Sequence, residues 1–337
     1  MMQKINGQGK QRAGSHSRTK KSFLYTRKGI YGLLTAIVAV ITALLYLYAN
    51  YGNILQNIKT DGEQSVDKSA AFVRFIDVGQ GDSILINSGG AAVLIDAGEE
   101  EYSSEVIRQI SDQGITKLDV LVGTHPHSDH IGGLDKVIEA FDIGEFYMPR
   151  VTNNTRQFEE VIMAAAAKSL RITAPIPGDA LELAGGLMLY FLGPVFEDAG
   201  YINDSSIIIK AVFAGEGKQE YSFLFAADAE SLAERLLLEN NADIGAGSGA
   251  DVLKVGHHGS ATSTGRDFLA VVDPAYAVIQ CGAGNPYGHP DPGVLDLLDE
   301  QGATVMRTDL SGTITFYLNW GGADDEGRYI ITTERGG

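Results

Sequence analysis

The chain has 337 residues, 44% of them hydrophobic, which is enough to bury a sizeable core. Its formal net charge is −17, and an acidic surface repels a phosphate backbone, so extended nucleic-acid binding is disfavoured. The single cysteine, Cys281, excludes an intrachain disulfide and a thiolate-rich metal site.

The amino-terminal region predicts a membrane anchor. Residues 1–28 hold eight Lys or Arg and no acidic residue, and residues 30–48 carry no charge over 19 positions. That length of helix spans a bilayer core. We predict a basic cytoplasmic tail over 1–28, a transmembrane anchor over 29–49 and a polar linker over 50–70, with the body on the extracytoplasmic side. A cleaved signal peptide is the alternative, although its apolar segment usually runs only about 7–15 residues.

The apolar runs of the body, residues 71–337, predict an α/β fold. The predicted strands cover 71–77, 83–86, 91–96, 118–124, 180–183, 187–192, 206–213, 221–226, 251–256, 275–281, 304–308, 313–318 and 329–333. The predicted helices cover 103–113, 131–141, 155–170, 229–239, 266–272 and 292–300. Two sheets packed face to face, with the helices outside, satisfy this order.

The hexapeptide His-Pro-His-Ser-Asp-His at 125–130 follows a predicted strand and precedes a predicted helix. In an extended segment His125 and His127 project to the same side, so both can bind one metal ion. Asp129 and His130 follow where the chain turns into the helix, in position for a second ion. Neutral imidazole and carboxylate suit Zn²⁺, and Mn²⁺ or Fe²⁺ also accept them.

Further candidate ligands follow other predicted strands. His257 and His258 come directly after the run 251–256, and His289 lies further on. This concentration of histidines in strand-end loops predicts one composite site. Asp228 ends the run 223–228, where its carboxylate either bridges two cations or caps the following helix.

Several other polar side chains have two possible roles. Asp77 and Asp82 bound a Gly-rich turn, and Asp77, like Asp96, either orients an imidazole or stabilises a turn. Lys254 either neutralises an anionic substrate or lays its stem along apolar surface. Ser260 is a candidate hydrogen-bond donor to a phosphate oxygen.

The hexapeptide resembles the signature of the metallo-β-lactamase superfamily. More closely, the chain resembles the metallo-β-lactamase-like domain of ComEC-type competence DNA-uptake proteins. The matching segments run in the family's order over nearly all of 71–320, and they are 77–82, 124–133, 203–206, Asp228, 253–260 and 287–290. The resemblance implies an αββα sandwich, one or two divalent metal ions (Zn or Mn) between its sheets, and phosphodiester hydrolysis.

One departure affects the ligand set. The superfamily usually supplies another histidine before the bridging Asp, but no His occurs between 131 and 256; Asn203 or Ser206 falls in the corresponding stretch. The ligands that the resemblance implies for the first ion are His125, His127, Asp228 and either Asn203 or water. Those for the second are Asp129, His130, Asp228 and either His257 or His258, with His257 preferred.

The sequence therefore predicts a membrane-anchored, metal-dependent hydrolase, a phosphodiesterase or nuclease in which bound cations lower the pKa of water toward ~7. Asp129 would orient the attacking water, and His289 and Lys254 would act at the substrate oxygens. The predicted substrate is a nucleic acid, a nucleotide or an envelope component. The alternatives are hydrolysis of a lactone or thioester, and a non-catalytic tethered binding module with a degenerate metal site.

Overall fold

A computed structural model describes Tyr31 and residues 71–215, 220–240, 249–320 and 328–335. The chain divides into two compact units, Met1–Ser65 and Val66–Gly337, and the fold described below belongs to the second. The predicted tail, anchor and linker over 1–70 lie outside the described residues, Tyr31 excepted. No helix among the described residues is both long enough and apolar enough to cross a membrane.

The described part of the body forms two β-sheets. The strands are β1 (Phe72–Phe75), β2 (Ile84–Asn87), β3 (Ala92–Ile95), β4 (Lys117–Val122), β5 (Asp142–Tyr147), β6 (Ile172–Thr173), β7 (Ala180–Leu183), β8 (Leu187–Phe191), β9 (Ile209–Ala214), β10 (Glu220–Phe225), β11 (Val252–Lys254), β12 (Tyr276–Ile279), β13 (Thr304–Arg307), β14 (Ile314–Leu318) and β15 (Tyr329–Thr333). The first sheet has the order β15-β14-β1-β2-β3-β4-β5-β6, and the second has the order β13-β12-β11-β10-β9-β8-β7.

Helices cover the outer face of each sheet. They are α1 (Ser103–Ser111), α2 (Ser128–Ile131), α3 (Leu134–Ala140), α4 (Arg156–Ala167), α5 (Ser231–Asn240), α6 (Arg266–Val272), α7 (Pro292–Gln301) and α8 (Thr308–Ser311). One apolar cluster joins α1, α3 and α4 to the first sheet, and another joins α5, α6 and α7 to the second. The helices are therefore the outer layers of a sandwich.

The central core lies between the two sheets. Along β1 the side chains alternate, so Val73 and Phe75 face the second sheet while Phe72 packs under the helices. Strand β10 of the second sheet contributes Phe223, whose ring lies 5.9 Å from that of Phe316 in the first sheet. The predicted α/β sandwich of two sheets between helices is confirmed.

The bounds of most predicted elements shift by one to three residues, and the structure adds two strands that were not predicted, β5 and β6. Two of the shifted starts lie beside hydrogen bonds. The strand expected over 206–213 begins at Ile209, because residues 203–205 form a short 3₁₀ turn. Just before it, the Ile207 amide donates to the Thr124 carbonyl in the loop after β4 (2.9 Å). The helix expected from residue 155 begins at Arg156, because Thr155 caps it by accepting from the Phe158 amide.

The parallel strands place their following loops at common sheet edges. Strands β3 to β6 are parallel in the first sheet, and β10 to β13 are parallel in the second. The loops that follow β3, β4, β10 and β11 carry Asp96, the 125–130 hexapeptide, Asp228 and the 257–258 pair. Ligands of open α/β sheets bind beyond the carboxyl ends of the strands, so this is the expected place for a site.

We expect Phe223→Ala to lower the free energy of unfolding by about 3–5 kcal/mol, because it removes a ring that packs between the sheets and leaves a cavity. Urea unfolding measures the loss. Met163→Ala on α4, where the side chain is 60% exposed, is the control and should change stability by no more than about 0.5 kcal/mol. Equal losses for the two variants would contradict the assignment of the central core.

Candidate metal centre

The hexapeptide folds into a tight histidine cluster. Residues 128–131 form the short helix α2, so the chain turns directly after His127. The ring centroid of His125 lies 4.7 Å from that of His127 and 4.1 Å from that of His130. His125 and His130 are fully buried. The loop therefore brings its three imidazoles together, with His125 and His130 beneath the surface and His127 partly exposed.

Asp228 lies at the centre of the site. It follows β10 in a turn where Ala227 has a left-handed φ of 48°, and its carboxylate is buried. Its Oδ1 lies 3.2 Å from His130 Nε2 and 3.5 Å from His258 Nε2. Its Oδ2 lies 3.8 Å from His125 Nε2 and 3.6 Å from His257 Nε2. The two carboxylate oxygens thus face different pairs of imidazoles.

The side chains form two ligand sets that share this carboxylate. One set is His125, His127 and Asp228. The other is Asp129, His130, Asp228 and His258. Within each set the candidate ligand atoms lie within 4.8 Å of one another.

The buried atoms of these sets fit a metal ion. His130 Nε2, His258 Nε2 and Asp228 Oδ1 are buried, and none makes a hydrogen bond. Buried polar atoms are normally satisfied, so three unsatisfied atoms facing one another indicate a missing common partner. A divalent cation bonded to all three would satisfy them, and nitrogen and oxygen donors suit Zn²⁺ or Mn²⁺.

Two further residues hold the imidazoles of His130 and His258. Asp96 Oδ2 lies 2.8 Å from His130 Nδ1, and the amide and hydroxyl of Thr124 both donate to the same carboxylate. The Nδ1 of His258 lies 2.9 Å from the Gln280 carbonyl oxygen. Each contact leaves the Nε2 atom directed at Asp228, as in metal sites whose ligands are fixed by outer hydrogen bonds.

The electrostatics follow from the same contacts. Burial opposes the charged form of His130, but Asp228 and Asp96 outweigh it and raise its pKa well above the usual value. Burial also opposes the charged form of His258. The carboxylates of Asp228, Asp129 and Asp82 outweigh it and raise the pKa of His258 to about 10.

Other ionisable groups at the site shift in the opposite direction. The pKa of Asp228 falls well below its ordinary value despite burial, because His258 and His130 stabilise its charge. Burial lowers the pKa values of His125 and His127. Without metal the protein thus holds protons on the imidazoles nearest Asp228 Oδ1.

Lys254 occupies a different place from the one predicted. Its ammonium lies 2.7 Å from Asp82 Oδ2 and donates to the Val255 carbonyl oxygen, and both side chains of the ion pair are buried. The ammonium is thus engaged within the protein, and the predicted action of Lys254 at substrate oxygens stays a prediction. Asp82 in turn lies 3.3 Å from His258 Nδ1, so the ion pair supports that imidazole.

Of the two roles predicted for Asp77, its contacts favour stabilising a turn over orienting an imidazole. Its carboxylate accepts from the Gly79 amide and lies 2.6 Å from the Arg335 guanidinium. No imidazole is among these contacts. Burial raises its pKa, although the Gly79 and Arg335 contacts act against the shift.

The adjacent residues His257 and His258 face different oxygens of Asp228. His258 belongs to the set with Asp129 and His130, whereas the sequence preferred His257 for that set. Both have left-handed backbone, with φ of 45° and 54°, a conformation that non-glycine residues adopt only where the surrounding structure compensates for its cost. This local backbone turns the two rings to opposite sides of Asp228, which sequence alone does not reveal.

A cleft of about 350 Å³ opens onto the site. Its lining residues are Gln80, His127, Ser128, Asp129, Asn153, Thr155, Asn203, Asp228, His257, His258, Tyr287 and His289. The Oδ1 atom of Asn203 is buried and makes no hydrogen bond. Ser206 and Ser260 lie behind the wall, where Ser206 Oγ is 3.4 Å from His125 Nδ1 and Ser260 Oγ is 3.0 Å from Thr262 Oγ1.

Sequence reasoning missed Glu230, Thr124, Gln280 and Tyr287. Glu230 is two residues after Asp228, beyond the end of the same strand, and this position alone marks it as a candidate site residue. Thr124 and Gln280 act through contacts with His130 and His258 that depend on the fold.

The comparisons with known proteins agree with this architecture. Residues 76–203 match the sequence model of the metallo-β-lactamase superfamily. The chain is 32% identical over 262 residues to ComE operon protein 3 of Bacillus subtilis (strain 168), covering 72% of this chain and 32% of that protein. It is 28% identical over 260 residues to competence protein ComA of Neisseria gonorrhoeae, covering 77% of this chain and 34% of that protein.

The chain thus spans about a third of the length of these two relatives. Among solved structures, the diiron β-hydroxylase CmlA from Streptomyces venezuelae matches with a TM-score of 0.49 and 17% identity, over 74% of this chain and 54% of that chain.

We expect Lys254→Met to destabilise the protein by about 3–5 kcal/mol, because it leaves the buried Asp82 carboxylate without its cation. The double variant Asp82→Asn, Lys254→Met removes both charges and should recover most of that loss in urea unfolding. A single variant with native stability but impaired turnover would instead restore the direct role at substrate that the sequence predicted.

Proposed function

We propose that this protein is a membrane-anchored, metal-dependent phosphodiesterase. The observation that carries the proposal is the pair of ligand sets sharing Asp228 at the floor of the cleft. Two-metal sites of this kind suit the displacement of one oxygen by another at phosphorus.

The proposed mechanism assigns roles to the residues around the cleft. The cations, when bound, supply Lewis acidity to the phosphoryl oxygens and favour ionisation of water near neutral pH. His125, His127 and Asp228 would hold one cation, and Asp129, His130, Asp228 and His258 the other. Asp129 is partly exposed at the cleft, so its carboxylate can also orient the attacking water.

His289 is suited to the leaving oxygen. It lines the cleft beside Tyr287, with the two rings stacked at 5.7 Å. Burial, together with the charges of His257 and His258, lowers its pKa. The ring is therefore neutral at neutral pH, and its N–H can donate a hydrogen bond to the leaving group.

The substrate belongs to the same proposal. A nucleic-acid strand, a nucleotide and an envelope phosphodiester all offer the required bond. The name of one relative, competence protein ComA, refers to competence, which favours a nucleic acid or its fragments. The described lining residues include no Lys or Arg, so attraction of the phosphate would come from the cations themselves. We also propose the anchor over 29–49, with the body on the extracytoplasmic side.

We expect the full-length protein to hydrolyse bis-p-nitrophenyl phosphate when Mn²⁺ or Zn²⁺ is added. Asp228→Ala should lower kcat by about 100-fold or more, since loss of an outer partner alone typically costs about 10–100-fold. Asp267→Ala, on the exposed face of α6, is the matched control. Turnover of a lactone or thioester with no phosphodiester cleavage would identify the other hydrolase class, and absence of both bound metal and turnover would identify a binding module.

Metal binding should release protons. In the metal-free protein at pH 8, His258 is protonated because its pKa is raised to about 10, and the pKa of His130 is raised as well. Coordination requires the unprotonated rings, so affinity should rise with pH between 6 and 9. Calorimetry in buffers of different ionisation enthalpy measures the release, which includes the proton of His258. Release that stays the same in His258→Ala would argue against His258 as a ligand.

A further inference from the structure

We propose that His257 completes the ligand set of His125, His127 and Asp228, and that Glu230 is the positioning residue that aims it. The adjacent histidines would then serve different cations, His257 the first and His258 the second. This inference rests on the proposed metal site and supplies the histidine that the superfamily usually provides elsewhere in the chain.

The two oxygens of Asp228 separate the imidazoles into two groups. On the Oδ1 side lie His130 at 3.2 Å and His258 at 3.5 Å. On the Oδ2 side lie His125 at 3.8 Å and His257 at 3.6 Å. His257 thus approaches the same oxygen as His125, and it lines the same cleft as His127. With His257 the set would have four ligands, the number that a tetrahedral metal site requires.

Glu230 fixes which nitrogen of His257 faces Asp228. Its Oε1 lies 3.0 Å from His257 Nδ1. Thr262 Oγ1, which donates to this carboxylate, is the hydrogen-bond partner of the same nitrogen at 3.3 Å and can only accept from it. A carboxylate accepts hydrogen bonds, so the Nδ1 atom carries the hydrogen and Nε2 keeps its lone pair toward Asp228. Carboxylates that accept from the second nitrogen of a ligand histidine fix its tautomer and raise its basicity.

The Glu230 carboxylate is itself held in place. The same Oε1 accepts from Asn203 Nδ2 at 3.1 Å and from Thr262 Oγ1 at 3.0 Å. Behind it, the Asp204 carboxylate accepts from the backbone amides of Glu230 and Ala233, which ties the 203–205 turn to the start of α5. Three segments of the second sheet's edge therefore meet at one side chain.

The test is metal binding by the full-length protein, measured by calorimetry with Mn²⁺ alone and with Zn²⁺ alone. The wild type should bind two ions. His257→Ala should lose one of them at concentrations that saturate the wild type, and Glu230→Ala should weaken the same site about 10–100-fold. Glu239→Ala, on the exposed end of α5, should bind as the wild type does.

A double-mutant cycle separates positioning from a merely structural role. Because Glu230 acts through His257, Glu230→Ala should have little further effect on metal affinity in the His257→Ala background. Glu230→Gln keeps an acceptor oxygen and should bind more tightly than Glu230→Ala; it carries the test if the alanine variant fails to fold by circular dichroism.

The outcomes are distinct. Two ions bound by the wild type and by both single variants would overturn the inference while leaving the proposed phosphodiesterase in place. So would an effect of Glu230→Ala that persists undiminished without His257. A wild type that binds no cation and cleaves no phosphodiester would remove the proposed function itself.

Discussion

The site depends on one buried carboxylate, that of Asp228. A buried charge is costly unless it is paired, and this one is met by imidazoles from two loops, one on each sheet. Its two oxygens face different imidazole groups, so its orientation decides which histidines act together. The turn at Ala227, with its left-handed backbone, sets that orientation directly after β10.

The sandwich is what brings these loops together. His130 belongs to the first sheet's edge and His258 to the second's, and their ring centroids lie only 5.3 Å apart. The Ile207–Thr124 hydrogen bond joins the two sheets beside the site. The interaction between the sheets, provided by aromatic residues such as Phe223, therefore also determines how closely the opposing imidazoles approach.

Much of this was readable from the sequence, because apolar runs and strand-end polar residues are local signals. The runs predicted most of the strands and the sandwich, although not the order of the strands in each sheet, and the hexapeptide with Asp228 and the 257–258 pair contains every member of the two ligand sets. The roles of Lys254 and of the adjacent histidines were not readable. The first depends on Asp82, which is 172 positions away in the chain (254 minus 82), and the second on left-handed backbone at two non-glycine residues.

Charge balance links the site to its surroundings. Asp82 and Asp96 are buried beside Asp228, and the Lys254 ammonium pairs with Asp82 alone. In the metal-free protein the remaining compensation falls to protons on His130 and His258, which is why their pKa values rise. Divalent cations would take over this compensation and offset the carboxylates of Asp82, Asp96, Asp129, Asp228 and Glu230. Under the proposed function, this offset is what would let a protein of net charge −17 bind an anionic group at the cleft.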